Sequence, residues 1–243
     1  MKIIILAGGF GTRISEYSKL VPKPMIKIGN KPLLLHVIKN YTKYGYKNFF
    51  IATGYKKNII QNYFKNFKKL DQKFEYKLGK KRIYITLSYT GKKSMTGGRL
   101  KRMKKFIKDN ENFMFTYGDG VSSVNIKKLE KFHLKKNKIV SVTAVRPPAR
   151  FGEITIKGNL VSKFKEKPQA SSGWINGGFF VANSKIFKFI KSDNTILEKF
   201  PLEIASKKKQ LQAFKHFGFW KCVDTKRDKD ELEKIFKKKG RLV

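Results

Sequence analysis

The stretch KIIILAGGFGTR, Lys2 to Arg13, decides the fold of this chain. Its first half, Lys2 to Ala7, is an apolar, β-branched run, which predicts a buried strand of a parallel sheet. The run stops at Gly8 and Gly9, and glycines directly after a strand let backbone amides approach and cradle phosphate oxygens. A tight structural turn uses glycines equally, and the loop has neither the third glycine of the dinucleotide pattern nor the Gly-Lys-Ser/Thr of the P-loop. At this point the ligand of the loop stays open.

The same unit of strand, loop and helix repeats along the chain. Pro32 to Tyr44 carries apolar residues at helical spacing, Asn48 to Thr53 is a second apolar strand, and Asn58 to Phe67 is a second helical stretch. Further elements are predicted in chain order as a helix at Gly98 to Lys108, a strand at Asn112 to Tyr117, a helix at Val124 to Lys136 and a strand at Ile139 to Arg146. This alternation predicts an α/β fold with a mostly parallel sheet and helices on both faces.

The second half of the chain departs from this alternation. Phe151 to Phe164 predicts short strands around a turn at Lys157-Gly158-Asn159, and the polar loop Lys167 to Gly173 follows. We expect this half to extend the sheet and to carry substrate contacts. No linker or internal repeat divides the sequence, so we expect a single domain over residues 1–243.

Composition limits the class of protein. The 56 Lys and Arg against 17 Asp and Glu give a formal net charge of +39, while 40% of the residues are hydrophobic, which is enough for a sizeable core and excludes a disordered basic tail. The charge alone fits a protein that binds nucleic acid or an anionic membrane. The lysines are spread along the whole chain without a basic block or an RNA-binding motif, which favours a solvated lysine-rich surface instead.

Several kinds of site and location are also excluded. Cys222 is the single cysteine, so the chain forms no intramolecular disulfide and no multi-thiolate metal site. No stretch approaches the roughly 18 apolar residues that span a bilayer, and Ile3 to Ala7 is too short for a signal-peptide core. We therefore expect a cytoplasmic protein without a membrane partner. His36, His133 and His216 lack metal-ligand spacing and are interpreted as structural or solvated.

Candidate ligand-binding residues follow predicted strands, where ligands collect in sheets of this type. Lys23 stands between two prolines in VPKPM, so that its ammonium can be aimed at a phosphate with little entropy left to lose. Asp119, in YGDG, lies between two glycines at a strand end and is either a turn residue or a Mg²⁺ ligand. Asp224, in FWKCVDTKRDK, is the candidate second ligand of such a metal site.

Five motifs, in their order along the chain, resemble those of the sugar-phosphate nucleotidyltransferase family. They are LAGGFGTR, VPKPM, a strand-end GDG, FKEKP (Phe164 to Pro168) and INGGFFV (Ile175 to Val181), and the resemblance covers nearly the whole chain. SMTGGRLKR (Ser94 to Arg102), FTYGDGV, PPARFGEI (Pro147 to Ile154) and FWKCVDTKRDK look most like the branch of that family that uses CTP, although the segment between Phe74 and Ser94 is shorter than in that branch. The resemblance implies a Rossmann-like nucleotidyltransferase fold, with a mostly parallel mixed sheet, and a homo-oligomer.

The resemblance also implies a role for each residue that matches a family motif. The nucleotide is expected to contact Leu6, Ala7, Gly8, Gly9, Phe10, Gly11, Thr12, Arg13, Lys23, Ser94, Arg99 and Gly118. The sugar phosphate is expected to contact Gly152, Glu166, Lys167, Asn176 and Gly177. Asp119 and Asp224 are expected to hold Mg²⁺, and together with Arg13 and Lys23 they are the expected catalytic residues.

The implied reaction transfers a cytidylyl group from CTP to α-D-glucose 1-phosphate by in-line attack, giving CDP-glucose and pyrophosphate. The attacking phosphate monoester is already an anion and needs no base, so positioning and charge supply the catalysis, with Arg13 and Lys23 on the triphosphate and Lys167 on the incoming phosphate. One alternative is a nucleotidyltransferase that uses UTP, dTTP or GTP, or another hexose or heptose phosphate. The other is a non-catalytic nucleic-acid-binding protein on the same fold.

Arg99 is the candidate reader of the base. Cytosine presents N3 and O2 as neighbouring acceptors, whereas N3 of uracil and thymine carries a hydrogen, so a guanidinium in the base plane would favour cytosine. The competing interpretation is an arginine that points to solvent at the start of a lysine-rich helix.

Overall fold

The computed structural model describes residues 1–65, 67–70, 73–147, 153–165 and 173–242. The strands, in chain order, are β1 Ile3–Ala7, β2 Lys27–Ile28, β3 Lys31–Pro32, β4 Asn48–Thr53, β5 Lys68–Leu70, β6 Lys73–Leu78, β7 Lys81–Tyr89, β8 Asn112–Tyr117, β9 Gly120–Ser122, β10 Val140–Val145, β11 Glu153–Lys157, β12 Leu160–Lys165, β13 Ile175–Asn183, β14 Leu211–His216 and β15 Trp220–Cys222. The α-helices are α1 Ser15–Ser18, α2 Leu33–Lys43, α3 Lys57–Lys65, α4 Thr96–Arg102, α5 Ile126–Lys136, α6 Phe200–Lys207 and α7 Lys226–Lys239.

Within the described residues, nine strands form one mixed sheet in the order β14-β10-β13-β8-β1-β4-β7-β6-β5. The central strands β8, β1, β4 and β7 pair in parallel, while β13 and β6 run antiparallel to both of their neighbours. The predicted α/β class with a mostly parallel mixed sheet is confirmed. None of the described helices is both long and apolar enough to cross a membrane.

Strand β1 shows why helices cover both faces of the sheet. Successive side chains of a strand point to opposite faces, so a fully apolar strand must be covered twice. Ile3 and Ile5 pack in one core with residues of α2, α3 and α5, and Ile4 and Leu6 pack in a second core with residues of α4 and α6. The apolar run that opens the chain therefore lies at the centre of the structure.

Two predicted elements differ from the structure. The helix predicted at Gly98 to Lys108 is α4, which begins two residues earlier and gives way to a short 3-10 turn at Lys104–Phe106. It begins earlier because the carbonyl of Thr195 accepts hydrogen bonds from the amides of Gly97 and Gly98, which satisfies donors that a first turn leaves free. In the second half, β13 and β14 extend the sheet as expected, whereas β11 and β12, in the segment from Phe151 to Phe164, form a separate two-stranded sheet within the described residues.

His133 gives the fold a pH dependence. It is 2% exposed on α5, its Nδ1 lies 2.7 Å from the hydroxyl of Ser141, and burial lowers the pKa of His133 to about 4. The unfolded chain therefore binds a proton near pH 6.5 that the folded chain binds only near pH 4. The contribution of this residue to stability is complete above pH 6.5 and is lost as the pH falls toward 4.

We expect His133→Gln to reduce the acid sensitivity of folding. Between pH 7 and pH 5 the free energy of unfolding should fall by about 1–2 kcal/mol less in this variant than in the wild type, as urea denaturation at the two pH values would measure. If the free energy of unfolding falls equally in the two proteins, His133 binds its proton as readily in the folded chain as in the unfolded chain, which would contradict this prediction.

Candidate active site

The candidate site lies at the edge of the sheet where the carboxyl ends of β1, β4, β7 and β8 meet. Hydrogen bonds join this edge directly: the amide of Tyr55 donates to the carbonyl of Gly8 at 3.0 Å, and the amide of Gly118 donates to the carbonyl of Leu6, in β1, at 3.1 Å. This edge is where ligands bind in open α/β sheets, because loops rather than helices cover it.

The glycine loop after β1 presents backbone to this edge. Gly8 is buried, while Gly9 and Phe10 are exposed, and Gly11 adopts a left-handed backbone with φ of 67° that glycine accepts without strain. The ring of Phe10 lies 5.2 Å from that of Tyr55. The loop ends at Arg13, whose side chain is 78% accessible and forms an ion pair with Asp224. This exposure would let the guanidinium reach a ligand.

Lys23 is placed by the motif that contains it. Residues Lys23–Met25 form a 3-10 turn, and Pro24 packs against Gly118, where an added Cβ would lie 2.9 Å from the proline ring. A glycine at position 118 is therefore needed for the two motifs to meet. The Lys23 side chain is 11% exposed, and a Cβ added to Gly11 would lie 3.2 Å from the Cβ of Lys23.

The ammonium of Lys23 joins the two candidate metal ligands. Its Nζ lies 2.6 Å from Oδ2 of Asp119 and 2.6 Å from Oδ1 of Asp224, although the two aspartates are far apart in sequence. The short ladder between β9 and β15 brings them together, because Gly120 pairs with Cys222 and the amide of Val223 donates to the carbonyl of Asp119.

The surroundings of Asp224 keep it ionised. Burial opposes its charge, but the hydrogen bond and charge of Lys23 outweigh that effect and hold the pKa of Asp224 below its usual value. Arg13 adds a second cation, with its guanidinium 2.9 Å from Oδ2 of Asp224. Burial raises the pKa of Cys222 to about 12, and its thiol donates to the same Oδ2 at 3.2 Å.

Burial and the two aspartates have opposite effects on the pKa of Lys23. Desolvation lowers the pKa of the ammonium, while Asp119 and Asp224 raise it, and the net pKa lies above the usual value. The lysine is therefore a permanent cation at the centre of the site. Since both carboxylates converge on one positive charge, the same oxygens also suit a hard divalent cation.

Such a cation would have few protein ligands. No group of three or more His, Cys, Asp or Glu side chains in the described part of the chain is arranged to hold a metal ion. With Asp119 and Asp224 alone, most of the coordination sphere is left to substrate phosphates and water. Mg²⁺ is held in this way at many phosphate-transfer sites.

Arg99 does not occupy the position expected of a base reader. Its side chain is 3% exposed, and its Nη1 donates to the carbonyl of Thr53, the hydroxyl of Thr90 and the carbonyl of Gly91 at 2.9–3.2 Å. Its Nη2 donates to the carbonyl of Ser94 at 2.8 Å. These hydrogen bonds join α4 to the end of β4 and to the loop after β7, so the guanidinium faces the protein rather than a ligand.

The other expected contacts are distributed around the same edge. Ser94 donates to the carbonyl of Thr90 at 2.6 Å beneath the loop after β7. Asn176, on β13, accepts from the amide of Gly178 at 2.8 Å, and the carbonyl of Gly177 accepts from the indole of Trp220 at 2.7 Å. Gly152, Glu166 and Lys167 lie outside the described residues, and their expected roles stay predictions.

Two features of this edge were missed in the sequence. A cavity of about 250 Å³ adjoins the glycine loop and is lined by Gly54, Tyr55, Lys56, Lys57, Asn58, Tyr89 and Lys92. Glu198, in the loop before α6, reaches the hydroxyl groups of Tyr117 and Thr96. Gly54 directly follows a predicted strand, which is a position where ligands bind in such sheets, and this could have indicated the cavity. Nothing in the sequence spacing around Glu198 indicates its partners.

Steric limits at the glycine loop provide a direct test of this arrangement. A Cβ on Gly8 would lie 2.0 Å from Nη1 of Arg99 and 2.8 Å from the amide nitrogen of Gly54, whereas a Cβ on Gly9 would meet nothing within 4 Å. Gly8→Ala should therefore lower the free energy of unfolding by about 1–3 kcal/mol. The matched variant Gly9→Ala should unfold like the wild type in the same thermal or urea experiment, and equal stability of the two variants would contradict the packing described for Arg99.

Comparison with known proteins identifies the family of this chain. A sequence profile described as Nucleotidyl transferase matches residues 2–229. The glucose-1-phosphate cytidylyltransferase of Salmonella typhimurium is 43% identical over 248 residues, which cover 98% of this chain and 96% of that protein. The probable glucose-1-phosphate cytidylyltransferase of Bacillus subtilis is 37% identical, with 97% and 96% covered.

Solved structures with low sequence identity share the fold of this chain. HddC from Yersinia pseudotuberculosis, complexed with GMP-PN, matches with a TM-score of 0.72 at 24% identity, covering 97% of this chain and 99% of that one. A UDP-glucose pyrophosphorylase complexed with UDP-glucose matches with a TM-score of 0.73 at 18% identity, with 98% of each chain covered. From the match to the family profile and the identity to full-length relatives, this chain belongs to the nucleotidyl transferase family.

Proposed function

We propose that this chain transfers a cytidylyl group from CTP to α-D-glucose 1-phosphate, giving CDP-glucose and pyrophosphate. The observation that carries the chemistry is the meeting of Lys23, Asp119 and Asp224 beside a glycine loop at the carboxyl edge of the sheet. The choice of CTP and glucose 1-phosphate rests on the names of the two relatives that match over nearly their full length.

The reaction joins two highly charged anions, and the chain offers cations where they must meet. Arg13 and Lys23 neutralise oxygens of the triphosphate as pyrophosphate departs, and backbone amides of Leu6 to Arg13 hold the phosphates. Oxygen of the sugar phosphate attacks the α-phosphorus in line, without a general base, because it already carries negative charge. Holding the two substrates in this geometry supplies much of the rate.

A Mg²⁺ ion fits the two carboxylates. Asp119 and Asp224 would hold it, and when bound the ion would stabilise negative charge on the phosphate oxygens. Lys23 then has two tasks that the geometry allows: its charge offsets the repulsion between the two carboxylates, and its ammonium could turn to the triphosphate when a metal ion is bound. Arg13 can leave Asp224 for the same reason.

The remaining contacts divide between nucleotide and sugar. Ser94, Arg99 and Gly118 would line the nucleotide, with Arg99 acting by holding the end of β4 and the loop after β7 rather than by touching the base. Gly152, Glu166, Lys167, Asn176 and Gly177 would contact the sugar phosphate, with Lys167 on its phosphate. We also propose a single domain, a homo-oligomer, and a cytoplasmic location, where both phosphorylated substrates would be retained.

The substrates can be tested with one set of assays. The purified protein should release pyrophosphate fastest with CTP and glucose 1-phosphate, when CTP, UTP, dTTP and GTP are each paired with glucose 1-phosphate, galactose 1-phosphate and mannose 1-phosphate. Faster release with another nucleotide would assign the chain to a different branch of the family. Absence of release in every pairing, together with a shift of nucleic acid in a gel, would favour the non-catalytic alternative.

The metal site can be tested with one substitution. Asp119→Asn removes a charge at equal size and should lower kcat by about 10²-fold or more, while the protein stays folded. Addition of Mg²⁺ should raise the thermal unfolding temperature of the wild type and not that of the variant, which gives a readout independent of turnover. Asp230→Asn, an exposed position on α7, is the matched control and should behave like the wild type. Unchanged activity of Asp119→Asn, or of the wild type in EDTA, would remove the two-carboxylate metal site.

A further inference from the structure

The loop before α6 is fixed against the first turn of α4. The amides of Met95 and Gly97 donate to the carbonyls of Asp193 and Thr195 at 2.8 and 2.9 Å. A Cβ on Gly98 would lie 2.2 Å from the Asp193 carbonyl, so the contact requires glycine. Arg102 also pairs with the Asp193 carboxylate. The loop is therefore held in one position relative to the candidate site.

Glu198, at the end of this loop, has a carboxylate that is oriented by two hydroxyl groups. Thr96 Oγ1 donates to its Oε2 at 2.6 Å, and the hydroxyl of Tyr117 donates to its Oε1. The amide of Leu197 donates to Thr96 Oγ1 at 2.9 Å, which leaves the threonine proton for the carboxylate. Burial, followed by the charge of Glu198, raises the pKa of Tyr117 well above its usual value, so this hydroxyl also remains a donor.

The orienting residues place Glu198 between the two halves of the site. Tyr117 directly precedes Gly118 and Asp119, and its ring packs on Gly178, where a Cβ would lie 2.7 Å away. Asn176, two residues before Gly178, also interacts with the Tyr117 side chain. Thr96 follows the Ser94 segment. Glu198 therefore stands at the boundary between the segment expected at the nucleotide and the INGG segment expected at the sugar.

The carboxylate has acceptor capacity left for a ligand. An ionised carboxylate has about four acceptor positions and no donor, and two hydroxyl groups occupy one position on each oxygen. The residue is exposed, and among the described residues it forms no ion pair, in a chain with 56 Lys and Arg. Its free positions suit hydroxyl groups and would repel phosphates.

We propose that Glu198 accepts hydrogen bonds from hydroxyl groups of the hexose and is a specificity-determining residue of the sugar site. The proposal rests on the proposed transfer to a hexose 1-phosphate and adds a contact to it. The hexose is favoured over the ribose of the nucleotide because Tyr117, which orients the carboxylate, contacts Asn176 and Gly178 of the segment expected at the sugar. Glu198 differs in this from Asp119 and Asp224, whose charges face the phosphates.

The test pairs deletion of the carboxylate with deletion of single substrate hydroxyls. The wild type, Glu198→Gln and Glu198→Ala are assayed with CTP and with glucose 1-phosphate or its 2-, 3-, 4- and 6-deoxy analogues, and again with dCTP in place of CTP. Glu203→Gln, an exposed glutamate on α6, is the matched control and should behave like the wild type. Thermal unfolding of each variant shows that it is folded.

We expect Glu198→Gln to raise KM for glucose 1-phosphate about tenfold with KM for CTP within twofold of the wild type. For the wild type, kcat/KM with at least one deoxy analogue should be about tenfold lower than with glucose 1-phosphate. For Glu198→Ala the two values should be equal, because the missing hydroxyl no longer has a carboxylate to bind. Tyr117→Phe removes one of the two hydrogen bonds that orient the Glu198 carboxylate, so it should partly weaken the same discrimination.

Different failures lead to different conclusions. Activity of the wild type with CTP and glucose 1-phosphate, together with unchanged discrimination among deoxy analogues in both Glu198 variants, overturns this inference and leaves the proposed function standing. Loss of discrimination between CTP and dCTP instead would assign the carboxylate to the ribose and also overturn it. A wild type that is inactive with every pairing overturns both proposals.

Discussion

The buried ammonium of Lys23 is the interaction on which the rest of the site depends. Three distant segments converge on this cation: the VPKPM turn and the two that carry Asp119 and Asp224, which the β9–β15 ladder brings together. A buried charge without partners would be costly, and two neighbouring carboxylates without a cation would repel each other. Each group therefore makes the position of the others tolerable. Under the proposed function, a metal ion and substrate phosphates would replace these internal pairs.

A second buried cation stabilises the neighbouring half of the site by other means. Among the described residues, Arg99 has no carboxylate within hydrogen-bonding distance and instead donates to carbonyls at the end of β4 and after β7. Its guanidinium also fills the space beside Gly8 and Gly54. Packing against Arg99 therefore requires glycine at positions 8 and 54, whatever ligand the loop binds. Glycine at such a loop can have both causes, which sequence inspection alone does not separate.

The large net charge contributes little to this architecture. Most of the lysines are surface residues, while the charges that organise the site are few and paired. An excess of +39 would nevertheless attract substrates such as nucleoside triphosphates and sugar phosphates toward the protein at low ionic strength. Glu198 is notable against this background because it stays without an ionic partner among the described residues, as a group that selects hydroxyls would require.

The sequence by itself determined the strands at the centre of the sheet. Asn48–Thr53 and Asn112–Tyr117 were predicted with the bounds that the structure has, because a buried parallel strand is a continuous apolar run that ends at a glycine. The ordered motifs also indicated the family and the residues Lys23, Asp119 and Asp224. Only the tertiary structure decided the start of α4, the inward direction of Arg99 and the place of Glu198. Their partners, Thr195, Thr53 and Tyr117, lie far along the chain, and no local periodicity records a contact made across that distance.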